Sequence, residues 1–146
     1  MPLYETSEHL AEEELMKLEF EQQHNCKLEK LPMKYSLDYA LCRGIKGTVI
    51  TGFIELKRRH EMSTHHEYYL IDAHKIKEAQ ILWQTFELPS VLVVKYNDRT
   101  GWIKIADETS PLKDCRLIMT GRRDRNDPND FQPFVQIPVK SFKGLS

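Results

Sequence analysis

The run from Thr48 to Lys57 constrains the fold most strongly, because it is rich in valine, isoleucine, threonine and phenylalanine, as buried strands are. Two charged residues, Glu55 and Lys57, come before its apolar character ends. Side chains alternate across a sheet, so these two share one face of the strand while Ile54 and Leu56 share the other. The fold must therefore accept a carboxylate and an ammonium on an otherwise apolar strand.

A second strand is predicted from Leu37 to Cys42, and it also carries one carboxylate, Asp38, in apolar company. Glycines bracket the segment 44–47 between the two strands, which is typical of a β-hairpin turn. Closing this hairpin brings Asp38 opposite, or diagonal to, Glu55. Two carboxylates and one ammonium then converge on one patch of sheet, which is the candidate site.

The chemistry of this patch favours a divalent metal. Two carboxylates a few ångströms apart repel, and on a half-buried sheet they stay ionised only when a cation lies between them. Mg²⁺ suits the place, with Mn²⁺ as its substitute, because it takes oxygen ligands at about 2.0–2.1 Å and keeps several waters. The carbonyl of Leu56 is a further candidate ligand. Such a metal polarises a phosphoryl oxygen and acidifies bound water, and Lys57 would orient or deprotonate that water.

Asp38 followed, after a hairpin, by Glu55-Leu56-Lys57 resembles the signature of the PD-(D/E)XK nuclease superfamily, which has the restriction-endonuclease-like fold. The order of predicted elements agrees: helix, strand, strand with Asp, strand with Glu-X-Lys, helix, strand. The likeness is nearest to small stand-alone nucleases of the archaeal Holliday-junction-resolvase type. Their first helix carries Glu in an Ala-Glu-X-Glu-Leu setting, which residues 11–15 match. The residue before Asp38 is Leu37 rather than proline.

The resemblance implies one α/β domain with a mixed sheet flanked by helices. Residues 1–146 would form this domain, with the nuclease-like core at 8–105 and a C-terminal extension at 106–146. Small members of the group are commonly homodimers, so a homodimer acting on DNA is expected, with RNA as an open alternative.

The resemblance also implies an activity, that of a magnesium-dependent deoxyribonuclease, in which metal-activated water attacks in line and leaves a 5′-phosphate. Asp38, Glu55 and Glu12 would bind the metal, and Lys57 would serve the attacking water. Lys75, in the first turn of the second predicted helix, would support the scissile phosphate.

Each of these residues also has an ordinary structural interpretation. A Glu-X-Lys pair on the solvent-exposed face of a strand is commonly a surface ion pair that contributes little to stability. Glu12 would then be a solvated glutamate, and Lys75 a surface lysine whose stem covers apolar atoms. Two further function classes stay open: a non-catalytic nucleic-acid-binding or partner-binding protein on the same fold, and a structural protein with a surface charge ladder.

Residues suited to binding phosphates lie mostly in two polar segments. Segment 58–67 has no hydrophobic period and is predicted as a loop over the active edge, and 121–130 as a second exposed loop. The histidines of the first loop lack a spacing such as H-E-x-x-H, which favours a solvated loop over phosphate contact or a zinc site. The predicted nucleic-acid contacts are Arg58, Arg59, Lys77, Arg122 and Arg123.

Two helices are predicted, from Ser7 to about His24 and from Ala73, capped by Asp72, to about Phe86. On the first helix, the candidate packing face holds the apolar residues of one side. These are Ala11, Leu15 and Leu18, widened by Met16 and Phe20.

The clearest strand is 90–96, a continuous apolar run typical of a central strand, followed by a hairpin to 102–105. Weaker strands are predicted at 26–33, 116–120 and 134–139.

The formal net charge of −1 divides unevenly, because residues 1–30 hold three Lys/Arg and eight Asp/Glu. The remainder is mildly basic, which is less than a strongly basic nucleic-acid binder shows. No apolar run is long enough to span a membrane, and the acidic N-terminus is unlike a secretory signal. Three cysteines without a C-x-x-C pair favour neither a disulfide framework nor a zinc knuckle. A cytoplasmic protein is expected, of phage, bacterial or archaeal origin.

Overall fold

The computed structural model describes residues 7–44, 48–108, 112, 114–121 and 131–145. This part of the chain contains two helices, each followed by strands, and eight strands in total. In chain order they are α1 Ser7–His24, β1 Lys27–Lys30, β2 Tyr39–Arg43, β3 Val49–Arg58, β4 Tyr68–Asp72, α2 Ala73–Phe86, β5 Ser90–Lys95, β6 Thr100–Ala106, β7 Arg116–Gly121 and β8 Phe131–Pro138, followed by a 3₁₀ turn at Val139–Ser141.

A five-stranded mixed sheet, in the order β1-β2-β3-β5-β6, forms the centre of the fold. β3 and β5 pair in parallel, whereas the other neighbours pair antiparallel. The parallel pair arises because the chain returns to the sheet through β4 and α2, as parallel strands require a crossover. β5 therefore lies between two other strands, as its continuous apolar sequence predicts.

The two faces of this sheet pack against different helices. Met16 of α1 packs with Ile54 and Leu56 on one face. Phe53, on the alternate face, joins the core cluster that contains Ala79 of α2. The predicted alternation of side chains along β3 is therefore present, and Glu55 lies on the face that α2 covers.

α1 packs on the sheet through a different face from the one that the spacing of its leucines predicts. Met16 is buried and Phe20 partly buried, as expected, but Leu15 and Leu18 are 61% and 46% exposed. The packed face instead carries Glu12 and Glu13, and each of these carboxylates contacts a basic side chain. Glu13 Oε2 lies 3.1 Å from Lys30 Nζ, and Glu12 Oε2 lies 2.8 Å from His60 Nε2.

A second sheet, in the order β4-β8-β7, is antiparallel and joins distant parts of the chain. Its β4 arises from the short apolar segment before α2, for which the sequence indicates no pairing partner. β7 and β8 correspond to the strands predicted at 116–120 and 134–139, and β8 begins three residues earlier than expected. The first predicted strand, at 26–33, is limited to Lys27–Lys30.

The C-terminal segment contributes to the core. Phe142 and Leu145 are 1% and 5% exposed, and the backbones of Lys143 and Trp102 exchange two hydrogen bonds. A Cβ placed on Gly101 would lie 2.3 Å from Leu145 Cγ, so the segment lies directly against β6. Residues 139–145 thus pack on the sheet that carries the candidate site. No described helix is long and apolar enough to cross a membrane.

Candidate active site

The β2–β3 hairpin places Asp38 beside Glu55, as the alternation and the turn predict. Tyr39 pairs with Ile54, so Asp38 and Glu55 occupy the next position along the ladder. The backbone N–H of Asp38 donates to Glu55 Oε1 at 3.1 Å, and the N–H of Leu56 donates to Asp38 Oδ2 at 3.2 Å. Each carboxylate is therefore oriented by the strand that carries the other. Residues 45–47 of the predicted turn lie outside the described residues.

Two lysines compensate the charge of Glu55, which is fully buried at 0% exposure. Its Oε2 lies 2.7 Å from Lys75 Nζ and 3.3 Å from Lys57 Nζ. Asp72 caps the N-terminus of α2, because its Oδ1 accepts the N–H of His74 at 2.9 Å. This cap fixes the start of the helix, and Lys75 in the first turn lies close enough to contact Glu55. The four predicted catalytic residues thus lie together in one cluster.

Lys75 links this cluster to the chain before β2. Its ammonium donates to the carbonyl oxygen of Ser36 at 2.5 Å as well as meeting Glu55. The side chain is 23% exposed, so it is held between protein oxygens and solvent. Lys75 is therefore a fixed cation beside the carboxylates and not a freely solvated surface lysine.

Burial raises the pKa of Glu55 above its ordinary value, and Asp38 adds to the rise, while Lys57 and Lys75 oppose it. Burial alone would lower the pKa of Lys57, but the carboxylates of Glu55 and Asp38 outweigh it and raise that pKa. Lys57 is thus protonated in the metal-free protein. An ammonium in this place is able to orient water and to balance phosphate charge.

The donor set fits a hard divalent cation. Asp38 and Glu55 offer carboxylate oxygens from adjacent strands, and Mg²⁺ prefers oxygen ligands. A fully buried carboxylate needs positive charge nearby, which the two lysines supply here. The roles of Leu56 and Glu12 as further ligands stay predictions. Glu12 lies on the helix that covers the opposite face of β3, and its carboxylate contacts His60.

The predicted phosphate contacts have different surroundings. The Arg58 guanidinium is engaged with the protein, donating to the carbonyl of Lys95 at 3.1 Å and to Asn97 Oδ1 at 2.8 Å. The Arg59 guanidinium lies 4.8 Å from the centre of the Tyr69 ring. Lys77 is exposed on α2. Arg122 and Arg123 lie outside the described residues.

Two adjoining cavities open beside the carboxylates. One, of about 270 Å³, is lined by Lys57, Lys75 and Arg59 among others. The other, of about 370 Å³, shares Arg59 and Tyr69 with the first and is also lined by Glu61 and His66. The smaller cavity, next to the catalytic cluster, is lined by four cationic side chains, whereas the larger one also carries Glu61 and Glu67.

The sequence does not reveal two of the residues near the site. Tyr69 is 4% exposed, and burial raises the pKa of its phenol. Phe134 of β8 lines the same cavity as Lys57. Both reach the site through the pairing of β4 with β8, which joins segments more than sixty residues apart. Their apolar sequence surroundings indicate core positions only.

Comparisons with known proteins identify the family and support the fold. A family model described as "Phage putative PDDEXK endonuclease" matches residues 1–145, including the segment after residue 105 that the motif resemblance leaves out. A solved structure of Archaeoglobus fulgidus Hjc, a Holliday junction resolvase from an archaeal hyperthermophile, is 12% identical, with a TM-score of 0.56. The match covers 94% of this chain and 90% of that chain, and confirms the predicted fold. A search of curated proteins returned no significant match.

Proposed function

Because this chain belongs to the phage PDDEXK endonuclease family, we propose that it is a metal-dependent endonuclease that hydrolyses phosphodiester bonds in DNA. The observation that carries the proposal is the cluster of Asp38, Glu55 and Lys57 beside a cavity that basic side chains line. A chain that used this patch only as a surface charge ladder would have no need to bury Glu55 completely.

Asp38 and Glu55 hold the metal through their carboxylate oxygens. A Mg²⁺ ion held there would polarise a phosphoryl oxygen and make its bound water more acidic. Lys57 orients the attacking water through its ammonium and offsets charge that develops on the phosphate. Its side chain is 40% exposed, which leaves it accessible to substrate.

Lys75 and Arg59 position the substrate phosphates. Both line the cavity next to the carboxylates, and both are cations. In the metal-free protein Lys75 contacts Glu55, so it is within reach of both the carboxylate and the cavity. A metal held at Glu55 would offset the carboxylate charge, so that the Lys75 ammonium would be available to the scissile phosphate.

The exposed apolar side of α1 supports a homodimer. Leu10, Leu15 and Leu18 are 45%, 61% and 46% exposed, and their spacing places them on one side of the helix. A second copy of the chain would cover this stripe and leave the catalytic face free. Sedimentation of Leu15→Glu protein should then show a monomer, whereas an unchanged mass would exclude this interface.

Cleavage of a labelled panel tests the activity. Supercoiled plasmid, linear duplex, single strands, a fork, a four-way junction and RNA are incubated with Mg²⁺, Mn²⁺ or EDTA. We expect metal-dependent cutting of DNA that Lys57→Ala abolishes and that Lys27→Ala, an exposed lysine on β1, retains. Binding without any cutting would favour the non-catalytic alternative. In a phage infection the enzyme would act in the host cytoplasm.

A further inference from the structure

The loop after β3 brings three metal-ligating side chains together. Glu61, His65 and His66 each offer one ligand atom, and these atoms lie within 4.8 Å of one another. His66 Nε2 is 3.6 Å from Glu61 Oε2, and the two imidazole rings are 4.3 Å apart. The three side chains are separate from the cluster of Asp38 and Glu55.

The backbone of this loop is anchored at Glu61 and at Ser63, which lies between Glu61 and the two histidines. Ser63 is 3% exposed, and its N–H and hydroxyl donate to the two carboxylate oxygens of Asp98 at 2.7 and 2.6 Å. The N–H of Asn97 donates to the carbonyl of Glu61 at 2.9 Å. The loop is thus fixed to the β5–β6 turn by contacts that do not use the side chains of the candidate ligands, so binding a metal need not order the chain.

A tight turn explains why the sequence spacing hides the cluster. The N–H of His65 donates to the carbonyl of Met62 at 3.0 Å, which closes a turn between Glu61 and the histidines. The residues are four and five positions apart in a loop, so no helical motif describes them. Their closeness is visible only in the folded chain.

We propose that Glu61, His65 and His66 form a second metal site that binds Zn²⁺. Two imidazoles and one carboxylate are a donor set that zinc prefers and that leaves one position for water or another oxygen. Mg²⁺ prefers oxygen ligands alone, so this donor set favours Zn²⁺ over Mg²⁺. His65 and His66 are exposed and can rotate to shorten the ligand distances.

The position of this site suggests what the ion does. Glu61 and His66 line the larger cavity together with Arg59, which also lines the cavity at the catalytic cluster. A divalent cation there would offset the negative charge of Glu61 and Glu67, so that the larger cavity would accept a phosphate as the smaller one does. This consequence rests on the proposed function, whereas the binding of Zn²⁺ itself does not.

Calorimetric titration of EDTA-stripped protein with Zn²⁺ tests the site in the absence of DNA, with Co²⁺ absorption reporting the ligand geometry. We expect a saturable Zn²⁺ site that is weakened at least about tenfold in His65→Ala and in His66→Ala, since even residues that only orient ligands contribute that much. His60→Gln, in the same loop, and Asp38→Asn should both keep this site.

Circular dichroism of each variant shows whether it is folded, and the substituted histidines are exposed, so their loss should leave the fold intact. No saturable binding of Zn²⁺, or binding that the two histidine variants retain, would overturn the proposal. Loss of binding in Asp38→Asn alone would assign the ion to the catalytic cluster instead. Cleavage is assayed in a separate experiment, in Mg²⁺ without zinc. Failure of the proposed nuclease activity is therefore distinguishable from failure of the proposed zinc site.

Discussion

Replacing Glu55 with glutamine should stabilise the metal-free protein. Glu55 is fully buried, and burial raises its pKa even with Lys57 and Lys75 beside it. Folding therefore disfavours its ionised form. Glutamine keeps the shape of the side chain, and its carbonyl oxygen still accepts the N–H of Asp38. The two lysines are 40% and 23% exposed, so they regain water when the charge is removed.

The size of the effect follows from the burial of the charge. Replacing a whole buried ion pair with uncharged groups is often neutral or stabilising by about 1–4 kcal/mol, whereas removing one partner is destabilising when the other charge stays buried. Both lysines here reach solvent, so we expect a gain of about 1–2 kcal/mol from Glu55→Gln. For a chain of this size that is an increase in Tm of roughly 2–8 °C.

The effect should depend on pH. A group whose pKa is raised in the folded state contributes stability that is present below its ordinary value, 4.5 here, and is lost as the pH rises through the folded-state value. The glutamine variant has no such loss. Its advantage over the wild type should therefore be largest at alkaline pH and should shrink on acidification as Glu55 becomes protonated.

Thermal unfolding followed by circular dichroism in EDTA measures this difference. Glu29→Gln is the matched control, because Glu29 is an exposed carboxylate paired with a lysine on the edge strand β1. Adding Mn²⁺ should then raise the Tm of the wild type and leave Glu55→Gln unchanged. A lower Tm for Glu55→Gln in EDTA at pH 8 would refute the reasoning, because it would mean that the lysines stabilise the carboxylate more than burial opposes it.

Three further substitutions test the packing that holds the site, each by urea unfolding. Leu28→Ala should lower the free energy of unfolding by about 2–5 kcal/mol, because Leu28 is fully buried beneath α1. Gly101→Ala should cost about 1–3 kcal/mol through overlap with Leu145, and adding Leu145→Ala should not cost its usual full amount. Asp72→Ala should cost about 1 kcal/mol, because it removes the cap of α2. An unchanged midpoint would contradict the corresponding contact.

Local patterns in the sequence predict the hairpin that carries the site. Strand alternation and a glycine-bracketed turn suffice to place Asp38 beside Glu55, because both act within twenty residues. The cap at Asp72 likewise predicts where α2 begins and hence that Lys75 lies in its first turn. These features depend on neighbours along the chain, which a sequence shows directly.

Features that depend on distant partners are not predictable in this way. The face of α1 that packs on the sheet carries Glu12 and Glu13, and it is tolerated because His60 and Lys30 meet those charges. The leucine spacing alone indicates the opposite face. In the same way, β4 acquires its partner only from β8, close to the C-terminus.

Cleavage of a DNA substrate under single-turnover conditions, as a function of Mg²⁺ concentration, tests whether the carboxylate cluster performs the reaction. Wild-type protein should show a rate that rises with Mg²⁺, saturates and vanishes in EDTA, with products that carry 5′-phosphates. Asp38→Asn and Lys57→Ala should be slower by at least about a hundredfold, the contribution typical of such catalytic groups. Wild-type rates in either variant, or cleavage that persists in EDTA, would show that the reaction does not take place at Asp38, Glu55 and Lys57.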